Sequence, residues 1–111
     1  MAILSTFSPA DAGRLGMLLA YAITVCEMNF EVVVFLALDS VLLVKRDVFQ
    51  KLEDSVKEEF IKARKMGVKF IACALAVQKF KVKEFIDDKI EVWEISTFFD
   101  FASKSKLTLS I

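Results

Sequence analysis

The chain is 111 residues long, enough for one compact domain and too short for two domains with separate cores. Its 15 basic and 15 acidic residues cancel and are interspersed, so we expect no nucleic-acid partner. It contains no histidine, which excludes Ser-His and Cys-His nucleophile pairs and histidine-bearing metal sites, and we expect no metal and no organic cofactor.

Hydrophobic residues make up 56% of the chain, and 11 of them are Phe. Because one small domain has difficulty burying so much apolar surface, we expect part of it to lie between the subunits of a homo-oligomer. The longest uncharged stretch, between Arg14 and Glu27, is too short for a membrane span of about 20 residues. The start of the chain lacks a signal-peptide pattern, and two isolated cysteines indicate a reduced, cytoplasmic protein.

Strand and helix patterns alternate in the first half of the chain. A short apolar run at residues 2–7 predicts a strand, and the sequence "SPAD" then predicts a helix start with Ser8 as its cap. The apolar run that reaches Asp39 predicts a strand buried on both faces, as in a parallel sheet. Residues 46–66 predict one amphipathic helix, which Gly67 ends.

The second half continues the alternation. Residues 68–74 predict a strand with Cys73 near its end, followed by one or two short helices. Residues 89–95 predict a fourth strand, Thr97 caps a further helix, and residues 106–111 predict the last strand. This order predicts a single α/β domain over the whole chain, a three-layer sandwich with a five-stranded, mainly parallel sheet and a flavodoxin-like character.

Cys73 is the candidate functional residue. Ligands of open parallel sheets bind beyond the carboxyl ends of the strands, and a thiol that stands there before a helix feels the helix dipole, which favours the thiolate. Thiolate is the nucleophile of sulfur transfer. The alternative from position alone is that Cys73 is a small hydrophobic core residue. Cys26, on the apolar stripe of the first helix, is expected to pack in the core and to lie too far from Cys73 for a disulfide.

Four other residues follow the predicted strand ends and complete a candidate pocket around Cys73. Asp39 interrupts a very apolar run, where it either caps the next segment or shapes the pocket. The four residues are Ser8, Asp39, Ala74 and Thr97. A small nucleotide or flavin binder is a weaker interpretation, since the few glycines form no phosphate loop.

Three segments, residues 17–44, 62–82 and 86–102, resemble the DsrE/DsrF-like family, in particular its small members often labelled peroxiredoxin-like. The most specific piece is "MGVKFIACALA" followed by "FIDDKIEV", which combines a Gly-Val turn, a strand ending in Cys73 and an acidic turn before the fourth strand. The resemblance implies a five-stranded sheet of the DsrEFH type and trimers or hexamers. It also implies a sulfur carrier that holds sulfane sulfur on Cys73 as a persulfide or thiosulfonate.

The chain departs from the family pattern in two ways. No second cysteine follows Cys73, which argues against a two-cysteine relay, and no Thr-Pro-x-x-Cys motif supports the peroxiredoxin label. Two hypotheses therefore stay open. One is an intracellular sulfur-relay protein that has a donor protein and an acceptor protein as partners. The sequence does not decide whether such a carrier is also a sulfurtransferase-type enzyme. The other is a non-catalytic oligomeric module of the same fold.

Overall fold

The computed structural model describes residues Met1–Ile111, which form five strands and the helices that connect them. The strands are short, with three to five residues each, as is common in a small domain. The elements are β1 Ala2–Ser5, α1 Ala12–Glu27, β2 Val33–Leu36, a 3₁₀ segment Leu38–Val44, α2 Arg46–Gln50, α3 Asp54–Met66, β3 Lys69–Cys73, α4 Ala74–Lys79, β4 Glu91–Trp93, α5 Ile95–Ser103 and β5 Thr108–Ser110.

The five strands form one sheet in the order β4-β3-β2-β1-β5, and every pairing is parallel. The chain steps in one direction from β1 to β4, and then α5 carries it back across the sheet to β5. Because parallel connections share one hand, α5 lies on the face opposite to the other helices. The predicted α/β three-layer fold is confirmed, with an all-parallel sheet.

Aromatic contacts mark the two faces of the sheet. Phe35 of β2 stacks on Phe98 of α5, with 4.6 Å between the ring centroids. Phe70 of β3 packs against Phe60 of α3 at 4.4 Å. Phe35 is in register with Ile71, so Phe70 points to the other face, because side chains alternate along a strand. Burial on both faces explains why β2 reads as a continuous apolar run.

Two predicted elements are shorter than expected. The second strand ends at Leu36 and not at Asp39, because Leu38 takes a left-handed backbone conformation with φ 50° and starts the 3₁₀ segment. The single helix predicted over residues 46–66 is split into α2 and α3. The break brings Phe49 to 5.1 Å from Phe60, whereas eleven residues of straight helix would hold them about 16 Å apart.

The predicted helix caps are corrected at two positions and confirmed at one. Asp11, not Ser8, caps α1, and its carboxylate accepts from the Arg14 amide at 3.1 Å. Thr97 lies inside α5, whose cap residue is Glu94. Gly67 ends α3 at φ 109°, where a side chain would be strained. None of the helices combines the length and apolar character needed to cross a membrane.

An ion pair fastens α3 to the turn before β4. Both terminal nitrogens of Arg64 donate to the carboxylate of Asp87, at 2.6 and 3.2 Å, and the Lys89 amide donates to the same carboxylate at 2.9 Å. The hydrogen bonds from Arg64 are the main reason why the pKa of Asp87 lies below its usual value. The pair holds the loop that leads into β4.

We expect Asp87→Asn to lower the free energy of unfolding at neutral pH by about 0.5–1 kcal/mol, a range that allows for solvent screening of a partly exposed pair. A depressed carboxyl pKa stabilises the fold above the unfolded pKa of about 3.9, and that stabilisation is lost as the pH falls through the folded pKa. Urea titrations at pH 7 and pH 3 should show the gap between wild type and variant closing at low pH. Asp88→Asn, which removes an adjacent carboxylate without an ion pair, is the control; an equal loss there would contradict the assignment.

Candidate functional site

Cys73 is the last residue of β3 and stands in register with Trp93, the last residue of β4. Side-chain alternation puts Cys73 and Ile71 on the face that carries Phe35, which is the face covered by α5. The thiol is buried, with 4% of the residue exposed, and it makes no capping hydrogen bond to α4. The position of Cys73 at a strand end is as predicted. Its burial is what the alternative interpretation, a small hydrophobic core residue, leads one to expect.

Two helices begin at the carboxyl edge beside Cys73. α4 starts at Ala74 without any intervening loop, and α5 starts at Ile95, two residues after Trp93. The first amide groups of a helix have no partner within that helix and carry partial positive charge. Cys73 therefore stands directly before the first amide groups of α4, a helix of only six residues.

The structure places one of the four predicted pocket residues next to Cys73, since Ala74 follows it directly. Asp39 is an exposed residue of the 3₁₀ segment, and that segment as a whole packs against β3 and α4. Ser8 follows β1, which is separated from β3 by β2, so about 10 Å of sheet lies between them. Thr97 is exposed and lines an open groove together with Met1 and Glu31. A role in a pocket stays a prediction for all four.

A buried pair of serines also shapes this edge, and the sequence analysis did not single it out. The hydroxyls of Ser5, at the end of β1, and Ser40, in the 3₁₀ segment, lie 2.8 Å apart, and both residues are buried. Ser40 also donates to the carbonyl of Phe7 at 2.6 Å, so Ser5 is the donor to Ser40. The only signal in the sequence is a serine at the end of an otherwise apolar strand and another beside Asp39.

We expect the two serines to contribute unequally to the free energy of unfolding. Ser40→Ala removes an acceptor for Ser5 and the donor to Phe7, leaving one buried hydroxyl and one partly buried carbonyl unpaired, at a cost of about 1–3 kcal/mol in the free energy of unfolding. Ser5→Ala leaves the bond from Ser40 to Phe7 intact, and we expect a cost below about 1 kcal/mol.

Chemical denaturation of both single variants and the double variant measures the difference. The double variant should lose less than the sum of the two single losses, since the serines share one hydrogen bond. Equal and additive losses would show that the pair does not hold the 3₁₀ segment to β1.

Comparison with known proteins places the chain in a family. The sequence model of the DsrE/DsrF-like family matches residues 1–110, and no functionally curated protein matches the chain. The resemblance noted in three segments therefore extends along the fold, from β1 to β5. This family is generally linked to sulfur relay. Because the family model covers 110 of the 111 residues and the structure is an all-parallel five-stranded α/β fold, the chain is a member of the DsrE/DsrF-like family.

Proposed function

We propose that the protein is a sulfur carrier that holds sulfane sulfur on Cys73 and passes it to a partner. The observation that supports this proposal is the place of Cys73, at the end of β3 in a chain that matches a sulfur-relay family over residues 1–110. A thiolate and an accessible donor sulfur suffice for the exchange, so the lack of histidine is no obstacle. A thiol that must stay reduced fits a cytoplasmic location.

Loading is a thiolate exchange that needs no external oxidant. The Cys73 thiolate attacks the outer sulfur of a donor persulfide R–S–SH, a new S–S bond forms to Cys73, and the donor leaves as the thiolate R–S⁻. The proton stays on the transferred sulfur. With tetrathionate, the same attack releases thiosulfate and leaves Cys73–S–S–SO₃⁻, the thiosulfonate form. Delivery repeats the step, with an acceptor thiolate attacking the outer sulfur and Cys73 leaving as the thiolate.

The burial of Cys73 sets a condition on this proposal. Because the Cys73 residue is only 4% exposed, its thiol can meet a donor in line with the donor's S–S bond only if the structure around the strand end opens. α5 covers the face on which the thiol lies and α4 starts directly after it, and a six-residue helix such as α4 contributes little stability of its own, so loading requires a local movement of one of these helices. Sulfur loading of Cys73 is then expected to be slower than the same reaction of a solvent-exposed thiol.

The same burial favours a second candidate function, a non-catalytic oligomeric module in which Cys73 is a core residue. Cys26 offers an internal comparison, because it is only half-buried and its thiol donates to the Met66 carbonyl at 3.2 Å. A reaction governed by exposure alone would load Cys26 first. A carrier built around β3 would load Cys73.

Intact-mass spectrometry of wild type, Cys26→Ser and Cys73→Ser after exposure to polysulfide, and separately to tetrathionate, decides between the two functions. We expect a reducible adduct, one sulfur atom or one thiosulfonate group heavier, on wild type and Cys26→Ser and not on Cys73→Ser. Circular dichroism of the three proteins controls for folding. An adduct that persists in Cys73→Ser, or no adduct on any of them, would exclude the carrier role.

We also infer a homo-oligomer, with a trimer or hexamer as the forms implied by the family resemblance. The support is that α5, the only helix on its face of the sheet, leaves the large side chains of Ile95 and Phe99 exposed. Multi-angle light scattering should give a mass above that of one chain, and Phe99→Ser should shift it toward the monomer. A wild-type protein that stays monomeric at micromolar concentration would contradict this inference.

A further inference from the structure

Two segments leave the carboxyl edge of the sheet on either side of Cys73 and meet again further on. The 3₁₀ segment follows β2, α4 follows β3, and the two segments pack against each other. Beyond them, Lys45 and Phe85 form an antiparallel bridge, and the amide of Ile86 donates to the carbonyl of Val44 at 3.0 Å. Together with the residues that follow them around this bridge, the two segments form one continuous surface over residues 38–47 and 74–86, which we call the docking strip.

The end of the docking strip nearest Cys73 is apolar. Leu38 and Leu75 each lie two residues beyond the end of their strand, β2 and β3, and these strands are neighbours in the sheet. Both side chains are largely exposed, Leu38 at 53% and Leu75 at 62%. Two exposed leucines at the edge of the sheet where β3 ends in Cys73 are not buried in the isolated chain, and they suit an apolar contact with a partner.

The other end of the docking strip is a polar groove with an excess of positive charge. Lys45 pairs with Asp47 at 3.6 Å, and Arg46 pairs with Glu84 at 3.3 Å. Lys81 and Lys83 make no ion pair, so the groove carries surplus positive charge in a chain whose net charge is zero. The charged residues that line it are Lys45, Arg46, Asp47, Lys81, Lys83 and Glu84.

Backbone strain coincides with this surface. Three residues other than glycine have positive φ, and one of them, Asn29, belongs to a residue type that adopts this conformation readily. The other two are Leu38, at φ 50°, and Lys81, at φ 51°. Glycine or asparagine would adopt the left-handed conformation at either position with less strain. Leu38 instead supplies an apolar side chain at one end of the docking strip, and Lys81 supplies a basic side chain at the other end.

We propose that the docking strip binds a protein partner of the sulfur relay, one that presents an apolar segment bearing its thiol and, beside it, a run of acidic residues. This proposal rests on the carrier function of Cys73. α4 spans six residues, about 9 Å, so the acidic run lies about 10–15 Å from the partner thiol, or three to four extended residues along its chain. The exposed leucines argue against a nucleic acid as the partner, because its phosphates would contact the lysines and leave the leucines without a contact.

Fluorescence anisotropy with a labelled probe peptide tests the docking strip without any sulfur chemistry. The probe has a serine between two leucines, a four-residue Gly-Ser spacer and three glutamates, and the comparison peptide has three lysines instead. We expect the acidic peptide to bind about tenfold more tightly at low salt, with the gap shrinking as salt is raised. Equal binding of both peptides, or equal binding of a dT oligonucleotide, would overturn the proposal.

Two sets of variants locate the contact. Lys81→Glu with Lys83→Glu should weaken binding of the acidic peptide about tenfold, whereas Lys69→Glu with Lys106→Glu, the same charge change at the amino edge of the sheet, should not. Leu38→Asn and Lys81→Gly should raise the thermal midpoint by relieving strain and still weaken binding. Unchanged binding in these stabilised variants would show that neither side chain contacts the partner.

Sulfur transfer then separates this proposal from the carrier function itself. With a cysteine restored in the probe, loaded protein should transfer sulfur to the acidic peptide several-fold faster than to the lysine peptide. Transfer to 2-mercaptoethanol should be unchanged by Lys81→Glu with Lys83→Glu. Failure of Cys73 to load would refute the carrier function and with it the sulfur-relay identity of the partner, whereas the anisotropy measurements decide independently whether the docking strip binds the acidic peptide.

Discussion

The pairing of β3 between β2 and β4 is the constraint on which the rest of the structure depends. β3 is an interior strand with partners along both edges and cover on both faces, so it is apolar and buried throughout its length after Lys69. Its pairing with β2 ends at Ala72 and its pairing with β4 ends at Cys73, so Cys73 is the last residue of the strand. The burial of Cys73 and its position directly before α4 follow from this pairing.

The cover on the sheet is unequal, and Cys73 lies on the thinner side. α1 and α3 pack together over one face, where Phe60 meets Phe70, whereas α5 alone covers the other through the stack of Phe98 on Phe35. A nine-residue helix cannot shield five strands, and its outer side keeps apolar side chains exposed. A thiol beneath such a cover is sheltered from solvent, and the helix above it carries the exposed side chains of Ile95 and Phe99.

The carboxyl edge is organised by polar contacts as well as by the sheet. The Ser5–Ser40 pair ties the 3₁₀ segment to β1, and the Lys45–Phe85 bridge ties the far end of that segment to the chain after α4. Just before the first of these attachments, Leu38 has an unfavourable backbone conformation and a largely exposed side chain. Asparagine or glycine would be more stable there, and this residue choice is one of the observations on which the proposed docking strip rests.

Local sequence patterns suffice to predict the alternation of strands and helices, the end of α3 at Gly67 and the position of Cys73 at a strand end. Each of these features depends on residues close together along the chain, whose spacing and backbone preferences can be interpreted segment by segment. The break between α2 and α3, the hydrogen bond from Ser5 to Ser40 and the burial of Cys73 become visible in the folded chain alone. These depend on contacts between distant parts of the chain, such as Phe49 with Phe60 across a turn or Ser5 with a residue 35 positions away. No local pattern records which distant residue will fill a given space, because packing is settled only when the whole sheet has formed.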